Sequence, residues 1–323
     1  MMNRRTLVGL GMGATLARPT LALAQAYPNR PIRVLVGFAP GGNSDTMMRL
    51  IQPRMSEFLG ATMVIENRTG GGGALAAGVV ASNPADGYTL LFDAASFLIS
   101  QFVNRGLPFD YETSFAPVAL VGELPYVLAV SAQSGIRDFP GYLDATRRAP
   151  GGMSFGTPGV GNVGHLAGTL LAHRTGLRME HIPYRGGADV ARDLAAGTLP
   201  SGYLGTSSIT PVLQAGRAVA IALTSEERRG GIEGLPTIAE NGFPGFDFTS
   251  WNAVFCRTGT PEPIRARLEA AVAHATNDAE VRARLMASGT NPMPADSARL
   301  AARLARERAL LRDLIRDTGI SFG

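Results

Sequence analysis

Short β-branched apolar runs alternate along this chain with stretches of helical period. Residues 34–36, with Phe38 behind them, form one such run, and Pro40-Gly41-Gly42 breaks it. Beyond the break Met47, Met48, Ile51, Met55 and Phe58 recur at helical spacing. The pattern predicts a buried strand, a glycine turn and a helix capped by Asn43 or Ser44. The first N–H groups of a helix have no internal partner and carry partial positive charge. With no Cβ on Gly41 and Gly42, a ligand can approach that backbone closely. The turn is therefore either a cradle for a phosphate or carboxylate or an ordinary tight strand-to-helix connection.

The same grammar recurs. Residues 62–66 and 88–92 read as further strands, and 74–81 as a helix of small residues after the glycine run Gly70 to Gly73. Strands separated by helices predict βαβ units and a parallel sheet, with loops 39–45, 67–73 and 93–97 gathered at one sheet edge, where such folds bind ligands. A looser stretch, 107–125, precedes a strand at 126–131, where the chain crosses into a second unit. That unit reads as helix 135–149, strand 153–156, helix 165–175, strand 179–182, helix 188–196, a short strand near Tyr203, helix 209–215 and strand 218–224. A strand over 246–255 carries the chain back. Helices then run from Pro261 to about Asn277, over 279–287 and over 297–317. The last bears one leucine stripe and an arginine-rich face that reads as solvated acid–base pairs.

Composition narrows the chemistry. Arg4-Arg5, the apolar stretch behind them and Ala24-Gln25-Ala26 predict an export signal over residues 1–26, of twin-arginine or general secretory type. Removing the leader's three arginines from the 30 basic residues leaves 27 against 26 acids, too even a balance for a nucleic-acid surface. Every basic residue is arginine, which excludes a Schiff-base lysine, a pyridoxal-phosphate enzyme and a Walker A loop. Cys256 stands alone in an apolar run, and the four histidines have no metal-binding spacing, so neither a disulfide nor a zinc site is expected.

One enzyme-like motif remains. Gly159-Val160-Gly161-Asn162-Val163-Gly164 satisfies the dinucleotide fingerprint between a strand and a helix, with Glu180 about 20 residues on. Glu180 falls inside its strand rather than at its end, where a ribose would be met, and the export signal leads away from the nicotinamide pool. A secreted α/β enzyme is thus the alternative reading. Arg68 and Arg185 lie in predicted site loops, either gripping a carboxylate or facing solvent.

Taken together, Tyr27-Pro28-x-x-Pro31-Ile32-Arg33, Pro40-Gly41-Gly42-x-x-Asp45, Glu66-Asn67-Arg68 and Asp86-Gly87-Tyr88-Thr89-Leu90-Leu91 resemble one family. Leu107-Pro108-Phe109-Asp110, His165-Leu166-Ala167-Gly168, Pro183-Tyr184-Arg185-Gly186-Gly187 and Gly234-Leu235-Pro236-Thr237-x-Ala239-Glu240 continue the match in order. The chain resembles the tripartite tricarboxylate transporter substrate-binding proteins, or Bug-type receptors. The resemblance implies a type II periplasmic binding protein fold: α/β, with lobe 1 formed by residues 27–125 and 246–323, lobe 2 by 126–245, and crossing strands as the hinge. It implies a non-enzymatic, monomeric receptor without a cofactor, which hands a small carboxylate to the membrane subunits of a transporter or serves as a ligand sensor. By position, the first-lobe contacts would be Phe38, Gly41, Gly42, Ser44, Asp45 and Ser96, with Asn67 and Gly71 nearby. The second-lobe contacts would be Thr157, Gly159, Val160, His165, Tyr184 and Gly186, with a structural role for His165 equally open. Pro200 and Leu204 stand where the family usually carries acids, so a monocarboxylate or apolar-bodied acid is expected over a cationic amino acid.

Overall fold

The apolar runs become strands and the amphipathic stretches pack over them. The computed structural model describes residues 27–104, 106–228 and 232–319, so the expected export signal lies outside the described residues. In chain order the first half contains β1 (Ile32–Val36), α1 (Asn43–Leu59), β2 (Met63–Asn67), α2 (Ala74–Ser82), β3 (Thr89–Ala94), α3 (Ser96–Val103) and β4 (Phe115–Ser131). Then follow α4 (Phe139–Arg148), β5 (Met153–Thr157), α5 (Val163–Thr175), β6 (Met179–Pro183), α6 (Gly187–Ala196), β7 (Ser201–Gly205), α7 (Thr206–Gln214) and β8 (Ala218–Leu223). The chain closes with β9 (Thr249–Arg257), α8 (Glu262–Asn277), α9 (Ala279–Ala287), β10 (Asn291–Ala295) and α10 (Ser297–Thr318).

β4 belongs to two sheets. Up to Pro125 it pairs antiparallel with β9 and β10; from Tyr126 onward it pairs with β7 and β8. The first sheet runs β2-β1-β3-β9-β4, with β10 on the far side of β4, and β1, β2 and β3 are parallel. The second runs β6-β5-β7-β4, with β8 also on β4. A second crossing lies alongside: Thr224 N–H donates to Tyr126 O at 3.0 Å, and Phe248 N–H to Thr224 O at 2.8 Å.

Each sheet is covered on both faces, as parallel strands require. Over the first sheet, α1, α8 and α9 pack on one face and α2, α3 and α10 on the other. Over the second, α4 and α5 lie opposite α6 and α7. Met47, Met48, Ile51 and Met55 are fully buried, each contributing about 1.5–3 kcal/mol on leaving water. That burial fixes α1, and so its N-terminus, against the sheet.

Several boundaries differ from the sequence-based expectation. The stretch 107–125 is mostly strand, because β4 starts at Phe115. Pro117, Gly122 and Pro125 hide it, and the ladder accommodates them with register shifts at Pro117/Ala119 and Leu120/Gly122. The cap of α1 is Gly42, not Asn43 or Ser44, which are the first two helical residues. A short helix, α3, begins where loop 93–97 was expected, and β10 was not anticipated. On α10 the charged face is not wholly solvated. Arg303 is largely buried, bonded to Glu123, Glu307 and Thr249, while Trp251 Nε1–H donates to Glu307 at 2.8 Å.

Candidate functional site

Between the two sheets opens a cleft of about 530 Å³, walled by segments from both halves. Its lining includes the starts of five helices: Gly42, Asn43 and Ser44 of α1, Ala95 and Ser96 of α3, Asn162 and Val163 of α5, Gly186 and Gly187 of α6, and Gly205, Ser207 and Ser208 of α7. Each helix start carries roughly half a positive charge in exposed N–H dipoles. Four of the five cap residues, Gly42, Ala95, Gly186 and Gly205, bring no side-chain acceptor to those amides. The first amide of α1 to find a backbone acceptor is Thr46, bonded to Gly42 O at 2.9 Å. At α6 and α7 the starts touch: a Cβ on Gly187 would sit 2.4 Å from Ser208 Oγ, so only glycine permits the approach.

α5 is the exception. Asn162 Oδ1 accepts from Gly164 N at 2.7 Å and His165 N at 3.1 Å, and its Nδ2 donates to Gly159 O and Thr157 Oγ1. The amides that a dinucleotide pyrophosphate would need are thereby occupied. Glu180, the other half of that motif, is exposed near the start of β6, paired with Ser154.

The cleft wall contains Phe38, Gly42, Ser44, Ser96 and Gly186 from the residues expected to bind ligand. The other nine are not part of the wall. Asp45 braces the first turn: its carboxylate accepts from Gly41 N at 2.8 Å, Arg49 Nε at 2.9 Å and Asn67 Nδ2 at 2.9 Å. Burial alone would raise the Asp45 carboxyl, but these donors hold it below the ordinary carboxylate range. Asn67 also donates to Phe38 O at 2.9 Å. Gly71 sits in the glycine run and accepts from Asn104. A Cβ on neighbouring Gly73 would lie 2.9 Å from Asp93 Oδ1. Among the described residues, fully buried Asp93 has no hydrogen-bond partner for Oδ2, and burial pushes its carboxyl up to about 7.

In the second half, Thr157 and His165 are buried, Gly159 and Tyr184 half-buried and Val160 exposed, and none of them lines the cleft. Thr157 Oγ1 donates to Gly159 O at 2.8 Å, so the proton in its 2.7 Å contact with His181 belongs to His181 Nε2. His165 stacks on His181, with centroids 3.8 Å apart, and its Nδ1 accepts from Gly161 N. Burial lowers both imidazoles to about 4, so both are neutral near pH 7. Tyr184 Oη donates to Asp193. Leu204 is buried in the core under α6 and α7, and is not part of the cleft wall.

Sequence reasoning missed the crossing-strand contribution. Asn252 of β9 donates Nδ2 to Ser44 Oγ at 2.6 Å, leaving the serine proton free to point at an acceptor in the cleft. Tyr126, at the residue where β4 changes sheets, lines the cleft as well. Burial raises its hydroxyl to about 12, so it is a donor throughout the physiological range. An amide within the otherwise apolar run Ala253 to Cys256 and its flanks was the available signal. Among the described residues no group of three or more metal-ligating side chains is placed to hold a metal ion, and no helix is long and apolar enough to cross a membrane.

Comparison with known proteins accords with this geometry. Residues 47–320 match the family described as the tripartite tricarboxylate transporter family receptor. A protein of the tcbD–tcbE intergenic region of a Pseudomonas strain is 37% identical over 271 residues, covering 84% of this chain and 81% of its own length. An adipate-bound protein of R. palustris is 31% identical with a TM-score of 0.80, covering 91% of this chain and 99% of its own. MatC of Rhodopseudomonas palustris, with bound malate, is 30% identical with a TM-score of 0.74, covering 90% of this chain and 100% of its own. The fold is the two-lobed α/β architecture of these periplasmic binding proteins. Their family supplies periplasmic solute receptors that bind small carboxylates and work with transporter membrane subunits, and this chain belongs to the tripartite tricarboxylate transporter receptor family.

Proposed function

We propose that this chain is a periplasmic receptor that captures a small organic carboxylate between its lobes and delivers it to the membrane subunits of a tripartite tricarboxylate-type transporter. The observation that carries this reading is the set of four helix starts without side-chain caps on one cleft whose lining, among the described residues, contains no acid. Such amides stabilise a carboxylate with oriented dipoles that need no rearrangement on binding. Ser44 and Tyr126 add neutral donors, the serine hydroxyl being oriented by Asn252. Adipate and malate, bound in the two similar R. palustris proteins, are the class of molecule this cleft suits.

In this reading residues 27–125 and 246–323 form one lobe and 126–245 the other. They close by bending where β4 passes Pro125-Tyr126 and where 224 meets 248. The export signal is removed near Ala26, the mature receptor is a monomer, and it performs no catalysis. Occupation of the α5 amides by Asn162 argues against a nucleotide cofactor there. The test is a thermal-shift and calorimetric screen of the mature chain against carboxylates, amino acids and NAD. Stabilisation that grows with carboxylate excess over Kd is expected; stabilisation by NAD alone, or turnover of a ligand, would refute the receptor. Loss of carboxylate uptake on deleting the gene separates transport from a purely signalling role.

A further inference from the structure

We propose that Arg185 sets specificity by taking a second anionic group of the ligand, so that small dicarboxylates bind in preference to monocarboxylates of equal length. This inference rests on the reading of the cleft as a carboxylate site and assigns a job to one side chain within it. Among the described residues lining the cleft, Arg185 is the only charged one. It stands in the turn between β6 and α6, in the second half, whereas α1 and α3 present their amides from the first.

Its charge is not spent within the protein. The nearest acids along the chain, Asp189 and Asp193 on α6, are both held by Arg192, at 2.8 and 3.1 Å, and Asp193 also accepts from Tyr184. Arg185 itself forms no ion pair or hydrogen bond with another described residue. Arg68, the other arginine of the expected site loops, differs on both counts. It is absent from the cleft wall and lies 3.7 Å from Glu66, which also binds Arg33. A guanidinium with free donors, in a cleft without a competing carboxylate, matches the planar two-oxygen edge of a second carboxyl group.

A dicarboxylate departs from the expectation of a monocarboxylate, though not from that of an apolar-bodied acid, which was drawn from Pro200 and Leu204. Leu204 is buried in the core and does not line the cleft.

The test is titration calorimetry of the mature chain and its R185A and R185K variants with succinate, glutarate and adipate, each against the monoacid of equal carbon number. For the unmodified chain the best diacid should bind about tenfold or more tightly than its monoacid partner, as expected for one added charge-assisted contact. In R185A that ratio should collapse toward one, and in R185K it should recover in part, since lysine supplies charge without the planar fork. The melting temperature without ligand controls for folding. Equal binding of diacids and monoacids by the unmodified chain, or an R185A loss shared equally by both series, overturns the role of Arg185 while leaving the receptor intact. If no carboxylate of either series binds, the underlying reading of the cleft fails, and the inference with it.

Discussion

Two loops in this molecule are written in nearly the same way, strand, glycine turn, helix, yet they end in opposite states. At Pro40-Gly41-Gly42 the helix begins on a glycine, and the amides of α1 face the cleft unclaimed. At Gly159 to Gly164 the helix begins on Asn162, which takes two amides of α5 for itself. The second loop has the more recognisable motif and the less available backbone. A glycine-rich turn therefore signals an anion seat only if the cap residue leaves the helix start open.

The sharpest way to break the contrast is to make the first loop resemble the second. Gly42→Asp gives α1 a side-chain cap and puts a negative charge on the seat. The backbone at Gly42 (φ −70°) accepts any residue, and a Cβ there meets only Ala39 O at 3.0 Å. We expect carboxylate affinity to fall by about a hundredfold or more while stability changes by only a few tenths of a kcal/mol; calorimetry together with urea denaturation reads both. Retained binding would remove α1 from the site.

Next in size is the buried titration behind each loop. Asp93, behind the glycine run of the first half, has its carboxyl raised to about 7, so its contribution to stability is greatest at acid pH and is lost as pH rises through 7. The His165–His181 pair, behind the second loop, is lowered to about 4, so its contribution is present above about 6.5 and is lost as pH falls toward 4. Asp93→Asn removes only the first effect. Relative to the unmodified chain, this variant should gain stability between pH 5 and pH 8, by an amount on the order of a few kcal/mol at most. A constant difference across that interval, in denaturation at both pH values, would show that Asp93 is not titrating there.

Asn162→Ala tests the reverse conversion. Opening the start of α5 should cost about 1 kcal/mol of stability and should not create NAD binding, since Glu180 remains exposed near the start of β6 rather than at its end. The smallest expected effect belongs to Tyr126→Phe. Loss of one neutral donor should weaken carboxylate binding severalfold, within the roughly 1 kcal/mol of an ordinary hydrogen bond, without altering the melting temperature of the free protein.

The sequence made one side of this site readable. The spacing of Met47, Met48, Ile51 and Met55 locates α1, and the break at Pro40 locates its start, because both are local signals. What stayed hidden depends on distant partners. β4 reads as a loop over 115–125 because of its prolines and glycine, and the ladder with β9 shifts register beside Pro117 and Gly122. The start of α3 was obscured because Asp93-Ala94-Ala95-Ser96 reads as a loop and the eight-residue helix behind it is too short to show a period. Asn252 joins the site only because β9 lies against β3 and brings its amide to Ser44, 208 residues away. Asp45, Asn67 and Thr157, which the family resemblance implies as ligand contacts, direct polar atoms at the loops around them, an arrangement that depends on partners the sequence does not display.

The sharing of β4 bears on how the molecule comes apart. Strand β9 and strand β7 each draw hydrogen bonds from one continuous segment, so dismantling either half strips an edge from its neighbour. The continuity on which the proposed closure depends also ties the survival of the halves together: heat or denaturant should meet one cooperative body rather than two independent globules on a tether.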